Sequence, residues 1–267
     1  MQQNSAGIMT MIRVSILFWV FVVSTILIVG HAWQRGRNFG GKMLQQWKPS
    51  LVIALFYILS VVISGTVSFP FYSIVIFCQA MIGLALAYSI VDYEPLPVTR
   101  AVIHKKNLNG PIYIMLSGAL VITLAALFVN SVLGGIFLRI FGETTSDPQG
   151  IASFFPKNAG QSFFLMLAGA GIFEETLFRL VSVSLFWRLT QRPWAATVLS
   201  ALVFGAYHLS PLDSAYLQYW EHPLTIFSLS TVMGTVMSYM YQKYGYETVV
   251  LGHTFGNWVS LLLSRAA

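Results

Sequence analysis

Two adjacent carboxylates and an arginine lie within one apolar stretch of the sequence. Glu174, Glu175 and Arg179 belong to a run that reads LMLAGAGIFEETLFRLV. A charged side chain at the centre of a bilayer costs about 2.5–3.5 kcal/mol on insertion scales, so such groups face a protein interior and pair there. Glu175 and Arg179 are four residues apart and share a helical face. Glu174 projects about 100° away, because a helix turns once every 3.6 residues, and we predict that it faces a different group.

Two further apolar stretches carry polar side chains at helical spacing. Phe204 and His208 are four residues apart near the end of one stretch, and His253 and Asn257 are four apart near the start of another. At a rise of about 1.5 Å per residue along each helix, Glu174, His208 and His253 can lie near a common depth in a membrane once the helices are allowed to tilt. The spacing therefore predicts one buried polar pocket built from three helices.

A carboxylate beside two imidazoles admits two mechanisms of peptide or amide hydrolysis. In the first, Glu174 is the general base for a water molecule, His208 assists it, and His253 and Asn257 donate hydrogen bonds to the developing oxyanion. In the second, Glu174, His208 and His253 bind Zn²⁺ with an open position for water, and Glu175 is the base. The sequence does not decide between them.

Each of these residues also has a structural explanation. An intramembrane Glu–Arg pair and an Asn such as Asn257 can simply join helices, and a lone His is more often a hydrogen-bonded interior residue than a ligand. The functional interpretation depends on the conjunction, because three separate stretches place the same kind of group at compatible depth.

The elements that must position this pocket are membrane helices. Hydrophobic residues make up 56% of the 267 residues and charged residues 9%, whereas soluble domains carry about 25% charged residues. We predict an all-α, polytopic transmembrane helix bundle of about eight spans, since each span needs about 20 apolar residues. The candidates are 12–31, 50–68, 71–91, 111–137, 162–187, 194–209, 224–241 and 248–264. The connection from Ser210 to Pro223 is a candidate gate.

The net charge of +6 arises from Lys and Arg in short stretches between the spans, without a basic block, so we predict no nucleic-acid partner. Most of these cations follow spans one, three, five and seven, which favours a cytoplasmic location for those connections. Cys78 is the only cysteine and cannot form an intrachain disulfide.

The three motifs resemble those of the CPBP intramembrane proteases, a family that includes CAAX-processing, bacteriocin-processing, Abi and Ras-converting-enzyme-like members. The motifs are Glu174-Glu175-x-x-x-Arg179, Phe204-x-x-x-His208 and His253-x-x-x-Asn257. The resemblance covers about residues 160–262. It implies a helical bundle around a catalytic cavity, in which Glu174 activates water with support from His208. Family names alternate between metalloprotease and glutamic protease, so a zinc cofactor stays open.

The resemblance further implies oxyanion stabilisation by His253 and Asn257, with Glu175, Arg179 and Phe204 supporting the site. Some members cleave the last three residues from prenylated CAAX proteins. We predict N-terminal membrane helices over 1–160, a catalytic helical core over 161–267, and an intramembrane endopeptidase of the cell (inner) membrane that acts on peptide or lipidated protein substrates. The alternatives are a transporter or proton-relay protein, and a non-catalytic membrane immunity or scaffold protein.

Overall fold

The structure, a computed structural model, describes residues 39–66, 70–143, 155–209 and 219–266. Within these ranges the chain forms nine helices and no strand, which confirms the predicted all-α class. In chain order they are α1 Phe39–Gln45, α2 Trp47–Ser64, α3 Pro70–Ala87, α4 Pro97–Ile103, α5 Asn109–Phe141, α6 at 159–190, α7 Pro193–Tyr207, α8 Pro223–Tyr244 and α9 Tyr246–Ala266.

The predicted spans fall on helices wherever the structure describes them. The first candidate, 12–31, lies outside the described residues, and each of the other seven falls on one of α2, α3 and α5–α9. Two described helices, α2 and α5, are long and apolar enough to cross a membrane by themselves. Their outer surfaces carry exposed apolar side chains such as Val62 and Leu120, as a lipid-facing surface would. The total of eight spans stays a prediction.

Proline and glycine set the ends of the helices around the site. Pro193 and Pro223 begin α7 and α8, positions where a helix needs no backbone N–H donor. Gly245 alone separates α8 from α9 and has a φ of 85°. A Cβ at Gly245 would lie 2.5 Å from Cδ of Pro97, so only glycine fits this turn. The turn fixes where α9, with His253, begins.

Helix α6 lies in the middle of the bundle and contacts α2, α3, α7 and α9. All eight residues of its segment Thr176–Val183 are buried. Much of α6 is wound as π-helix, over Leu167–Glu174 and Thr176–Val183, and π turns occur frequently at functional sites. Small residues permit the close approach of neighbouring helices: a Cβ on Gly171 would lie 2.3 Å from Oγ1 of Thr254 on α9.

Candidate active site

Glu175 is fully buried and binds two groups at once. Its Oε2 forms an ion pair with Nε of Arg179 at 2.9 Å, and neither side chain is exposed. Its Oε1 accepts a hydrogen bond from Nδ1 of His253 at 2.8 Å. Because a carboxylate oxygen only accepts, Nδ1 of His253 carries a proton. Glu175 therefore joins α6 to α9 and fixes the orientation of the imidazole.

The guanidinium of Arg179 is itself held from two sides. Its Cζ lies 4.7 Å from the ring centroid of Phe204, a cation–π contact. Its Nη1 donates to Oγ of the buried Ser238 on α8 at 3.4 Å. Residues from α6, α7, α8 and α9 thus meet around one buried charge pair, an arrangement that favours a rigid site.

Glu174, the neighbour of Glu175, faces the other nitrogen of the same histidine. Its Oε2 lies 4.0 Å from Nε2 of His253. The His253 ring therefore stands between two carboxylates, bonded to Glu175 through Nδ1 and facing Glu174 with Nε2. Glu174 lies fifteen residues after the start of α6 at 159 and sixteen before its end at 190, so it sits at the middle of the helix.

His208 lies in the turn that follows α7. Its Nδ1 donates to the carbonyl oxygen of Phe204 at 2.9 Å, and its backbone N–H donates to the same oxygen at 3.4 Å, so the last turn of the helix orients the ring. The rings of His208 and Phe204 are 4.5 Å apart, and Tyr219 stacks on His208 at 6.4 Å. Most of the predicted gate, 210–218, lies outside the described residues.

A cavity of about 170 Å³ lies beside these groups. His208 from α7 and His253 and Asn257 from α9 line it, as the sequence predicted. Glu174 is not among its lining residues, but its Oε2 lies 4.0 Å from Nε2 of His253, which does line the cavity. The structure thus brings together the predicted residues of all three motifs. The remaining lining residues are Ile122, Ala126, Asn130, Phe204, Tyr219, Ile226, Leu229, Ser230, Met233 and Met237.

Sequence reasoning missed three polar residues of this region. Asn130 on α5 and Ser230 on α8 line the cavity, and Ser238 supports Arg179. Asn130 could have been noticed in the sequence, because its polar amide lies in α5, a helix whose most apolar part has a mean hydropathy of 2.4. The two serines offered none, because serine is common in membrane helices and usually bonds to its own backbone.

The zinc arrangement is not formed by these residues. Within the described ranges, no group of three or more His, Cys, Asp and Glu side chains is arranged to hold a metal ion. Nδ1 of His208 and Nδ1 of His253 are both engaged with protein partners. No step of the mechanism below is therefore routed through a metal.

Comparison with known proteins bears on the same part of the chain. Residues 157–259 match a family model described as Rce1-like, type II CAAX prenyl endopeptidase. This segment therefore resembles the Rce1-like family. The match confirms the family resemblance that the three motifs predicted. No match was found among curated proteins or among solved structures.

The Rce1-like segment begins just before α6 and ends within α9, and it contains every residue of the three motifs. CAAX prenyl endopeptidases are membrane-embedded peptide hydrolases, so the match supports this general class and a location in a membrane. One wall of the cavity lies outside the segment, because α5 contributes Ile122, Ala126 and Asn130.

Proposed function

We propose that this chain is an intramembrane endopeptidase that cleaves prenylated CAAX-type proteins near their C-terminus, with Glu174 as the general base. The observation that carries the proposal is the position of His253 between two unlike carboxylates. Glu175 is fully buried between Arg179 and Nδ1 of His253, whereas the side chain of Glu174 is 10% exposed and lies 4.0 Å from Nε2 of the same ring. A base must reach water, and of these two carboxylates only Glu174 has an exposed part of its side chain.

In this mechanism a water molecule binds between Glu174 and Nε2 of His208. Glu174 takes one proton, and the hydroxide oxygen adds to the carbonyl carbon of the scissile peptide bond. The carbonyl π electrons move to oxygen and give a tetrahedral oxyanion. As the oxyanion collapses and the C–N bond breaks, Glu174 returns the proton to the leaving nitrogen. The products are a new C-terminal carboxylic acid and an amine, and transfer of the acid proton to the amine leaves a carboxylate and an ammonium group.

Asn257 and His253 are the groups proposed to stabilise the oxyanion. Asn257 donates from its side-chain amide, and both residues line the cavity from α9. Because Nδ1 of His253 already donates to Glu175, donation from Nε2 requires a doubly protonated ring. The positive ring would then face the developing negative charge, and preorganised donors of this kind contribute about 10²–10³-fold each.

The surroundings of the site support this substrate class. Apolar side chains on the outside of α2 and α5 fit a bilayer, and apolar residues such as Met233 and Met237 form much of the cavity wall. A lipidated peptide can partition into the membrane and reach such a cavity from there. We assign the chain to the cell (inner) membrane and its catalytic core to 161–267.

The test is cleavage of a farnesylated CAAX peptide by the purified chain in lipid nanodiscs, with products identified by mass. Wild type should release a C-terminal tripeptide. Glu174→Gln and His208→Ala should each lose at least a hundredfold in rate while keeping the wild-type melting temperature. Cleavage by both variants at the wild-type rate would contradict the proposed roles, and ion flux in liposomes without cleavage would support the transporter alternative.

A further inference from the structure

The cavity has a second polar side that the three motifs do not supply. Asn130 on α5 and Ser230 on α8 line it together with the histidines. The rest of the lining from these two helices is apolar, including Ile122, Ala126 and Met233. Two hydrogen-bonding side chains therefore face the reaction space from helices that contribute none of the proposed catalytic groups.

The packing of α5 against α9 fixes the level of Asn130. A Cβ on Gly252 would lie 2.7 Å from Cβ of Ile122, and a Cβ on Gly256 would lie 3.0 Å from Cβ of Ala126. Both contacts have the same offset along the chain, so the two helices run parallel with Gly252 and Gly256 as the points of closest approach. Asn130 follows Ile122 and Ala126 at the same four-residue spacing on α5, so it lies one helical turn beyond the level of Gly256.

That level lies close to the proposed oxyanion donors. Gly256 and Ala126 lie at the same level. Asn257 is one residue beyond Gly256, and Asn130 is four beyond Ala126. At a rise of 1.5 Å per residue, Asn130 therefore lies about 4.5 Å further along the bundle than Asn257. An extended peptide advances about 3.3 Å per residue. A substrate whose scissile carbonyl meets Asn257 would therefore present a peptide bond one or two residues away to Asn130.

The backbone at Asn130 also departs from a regular helix. Val129–Leu133 forms a π turn within α5, and such turns shift the side-chain row and are frequent at functional sites. Helix α8 packs against this turn, since Leu229 lies 3.8 Å from the Cβ position of Gly134. In the described part of the chain, no protein hydrogen-bond partner engages the Asn130 amide, so its donors and acceptor are available to a ligand.

From this geometry, and resting on the proposed function, we infer that Asn130 is a substrate-binding residue that hydrogen-bonds a main-chain amide of the peptide beside the scissile bond, with Ser230 completing that side of the cavity. An extended peptide entering an apolar site loses its hydrogen bonds to water, and each unsatisfied amide costs about 1–3 kcal/mol. An Asn side chain can both donate to and accept from one peptide unit. The two residues thus serve any sequence that presents an extended main chain.

The experiment measures peptide affinity separately from cleavage. Binding of a fluorescein-labelled, farnesylated CAAX peptide is followed by anisotropy in the Glu174→Gln background, where the peptide is not consumed, and KM and kcat are measured with Glu174 intact. The test variants are Asn130→Leu and, in case leucine disturbs folding, Asn130→Ala. The matched control is Ser131→Leu, because Ser131 belongs to the same π turn but does not line the cavity.

We expect each Asn130 variant to weaken binding and raise KM about tenfold, with kcat within threefold of wild type and Ser131→Leu unchanged. Peptides N-methylated at single bonds sharpen the test: methylation at the contacted bond should cost wild type about tenfold and the Asn130 variants nothing further. Equal affinity of Asn130→Ala, Ser131→Leu and wild type would overturn the inference while cleavage still supported the function. Asn130-dependent binding without any cleavage would support peptide binding by Asn130 and overturn the function.

Discussion

The two carboxylates of the EE pair are adjacent in sequence and differ in every contact that matters. Glu175 points into the packed bundle, where Arg179 and His253 bind it and none of its side chain is exposed. Glu174 lies beside the other nitrogen of His253, with its side chain 10% exposed and its Oε2 4.0 Å from Nε2. The helix turns by about 100° between them, and that rotation separates the residue that we propose holds the site from the residue that we propose acts in it.

The comparison shows how one histidine can serve both regions. His253 is oriented by the packed side through Nδ1 and presents Nε2 to the cavity side. A change on the packed side should therefore reduce stability and, through it, activity. A change on the cavity side should reduce activity alone.

Arg179→Met should give the largest loss of stability. It removes the ion-pair partner of a fully buried carboxylate, and breaking such a pair costs about 3–5 kcal/mol because the remaining charge is unpaired. Thermal unfolding in nanodiscs measures the change. Arg192→Met is the matched control, since Arg192 lies exposed before α7, and it should change stability by less than about 0.5 kcal/mol. Similar melting temperatures for both variants would remove the distinction between the two regions.

Asn257→Ala should give the converse result on the cavity side. Loss of one oxyanion donor lowers kcat by about 10²–10³-fold, and Asn257 has a cavity on one side, so the melting temperature should stay near that of wild type. Steady-state kinetics with the farnesylated peptide measures kcat. A fall in stability with an unchanged kcat per folded molecule would instead assign Asn257 to helix packing.

The sequence was sufficient to predict the helical class and the meeting of the three motifs. The length of an apolar run and a four-residue spacing are both properties of short stretches of chain. It could not predict that Nδ1 of His253 binds Glu175, since that contact depends on how α6 and α9 pack across 78 residues of chain. It also gave Asn130 no role. The direction of Asn130 is set by a π turn and by the α5–α9 register, neither of which a period of 3.6 residues reveals.

Glu143 provides a smaller test with a third carboxylate, outside both regions. It lies just past the end of α5 and accepts hydrogen bonds from the backbone amides of Leu224 and Thr225 at 3.0 Å each, capping the start of α8. Burial works to raise the pKa of Glu143, but the hydrogen bonds from Thr225 and Leu224 outweigh it and the pKa lies below its usual value. Glu143→Gln should cost about 1 kcal/mol, the typical value of a cap, with cleavage per folded molecule unchanged.

The sign of the pH dependence follows from that lowered pKa. The contribution of Glu143 is complete above the unfolded-state value of about 4.3 and is lost as the pH falls through the lower folded-state value. The difference in melting temperature between wild type and Glu143→Gln should therefore shrink as the pH is lowered from 7 toward 3. A constant difference over that range would show that the carboxylate charge is not what caps α8.

Metal chelation should have the smallest effect. Since the mechanism routes no step through a metal, 1,10-phenanthroline should leave the cleavage rate within twofold of the untreated enzyme. The non-chelating 1,7-phenanthroline is the control for solvent and ring effects. Loss of activity with the 1,10 isomer alone, restored by added zinc, would transfer the role of Glu174 from base to ligand.

The central claim is that Glu174 acts as the general base and that Glu175 holds the site in shape. One paired measurement tests this claim most directly. The cleavage rate and melting temperature of Glu174→Gln and Glu175→Gln are measured side by side, with rates normalised to folded protein. The account predicts that Glu174→Gln melts like wild type and loses about 10²–10⁴-fold in rate, the contribution of a general base, whereas Glu175→Gln melts several degrees lower. A Glu174→Gln protein that cleaves within threefold of wild type would contradict it.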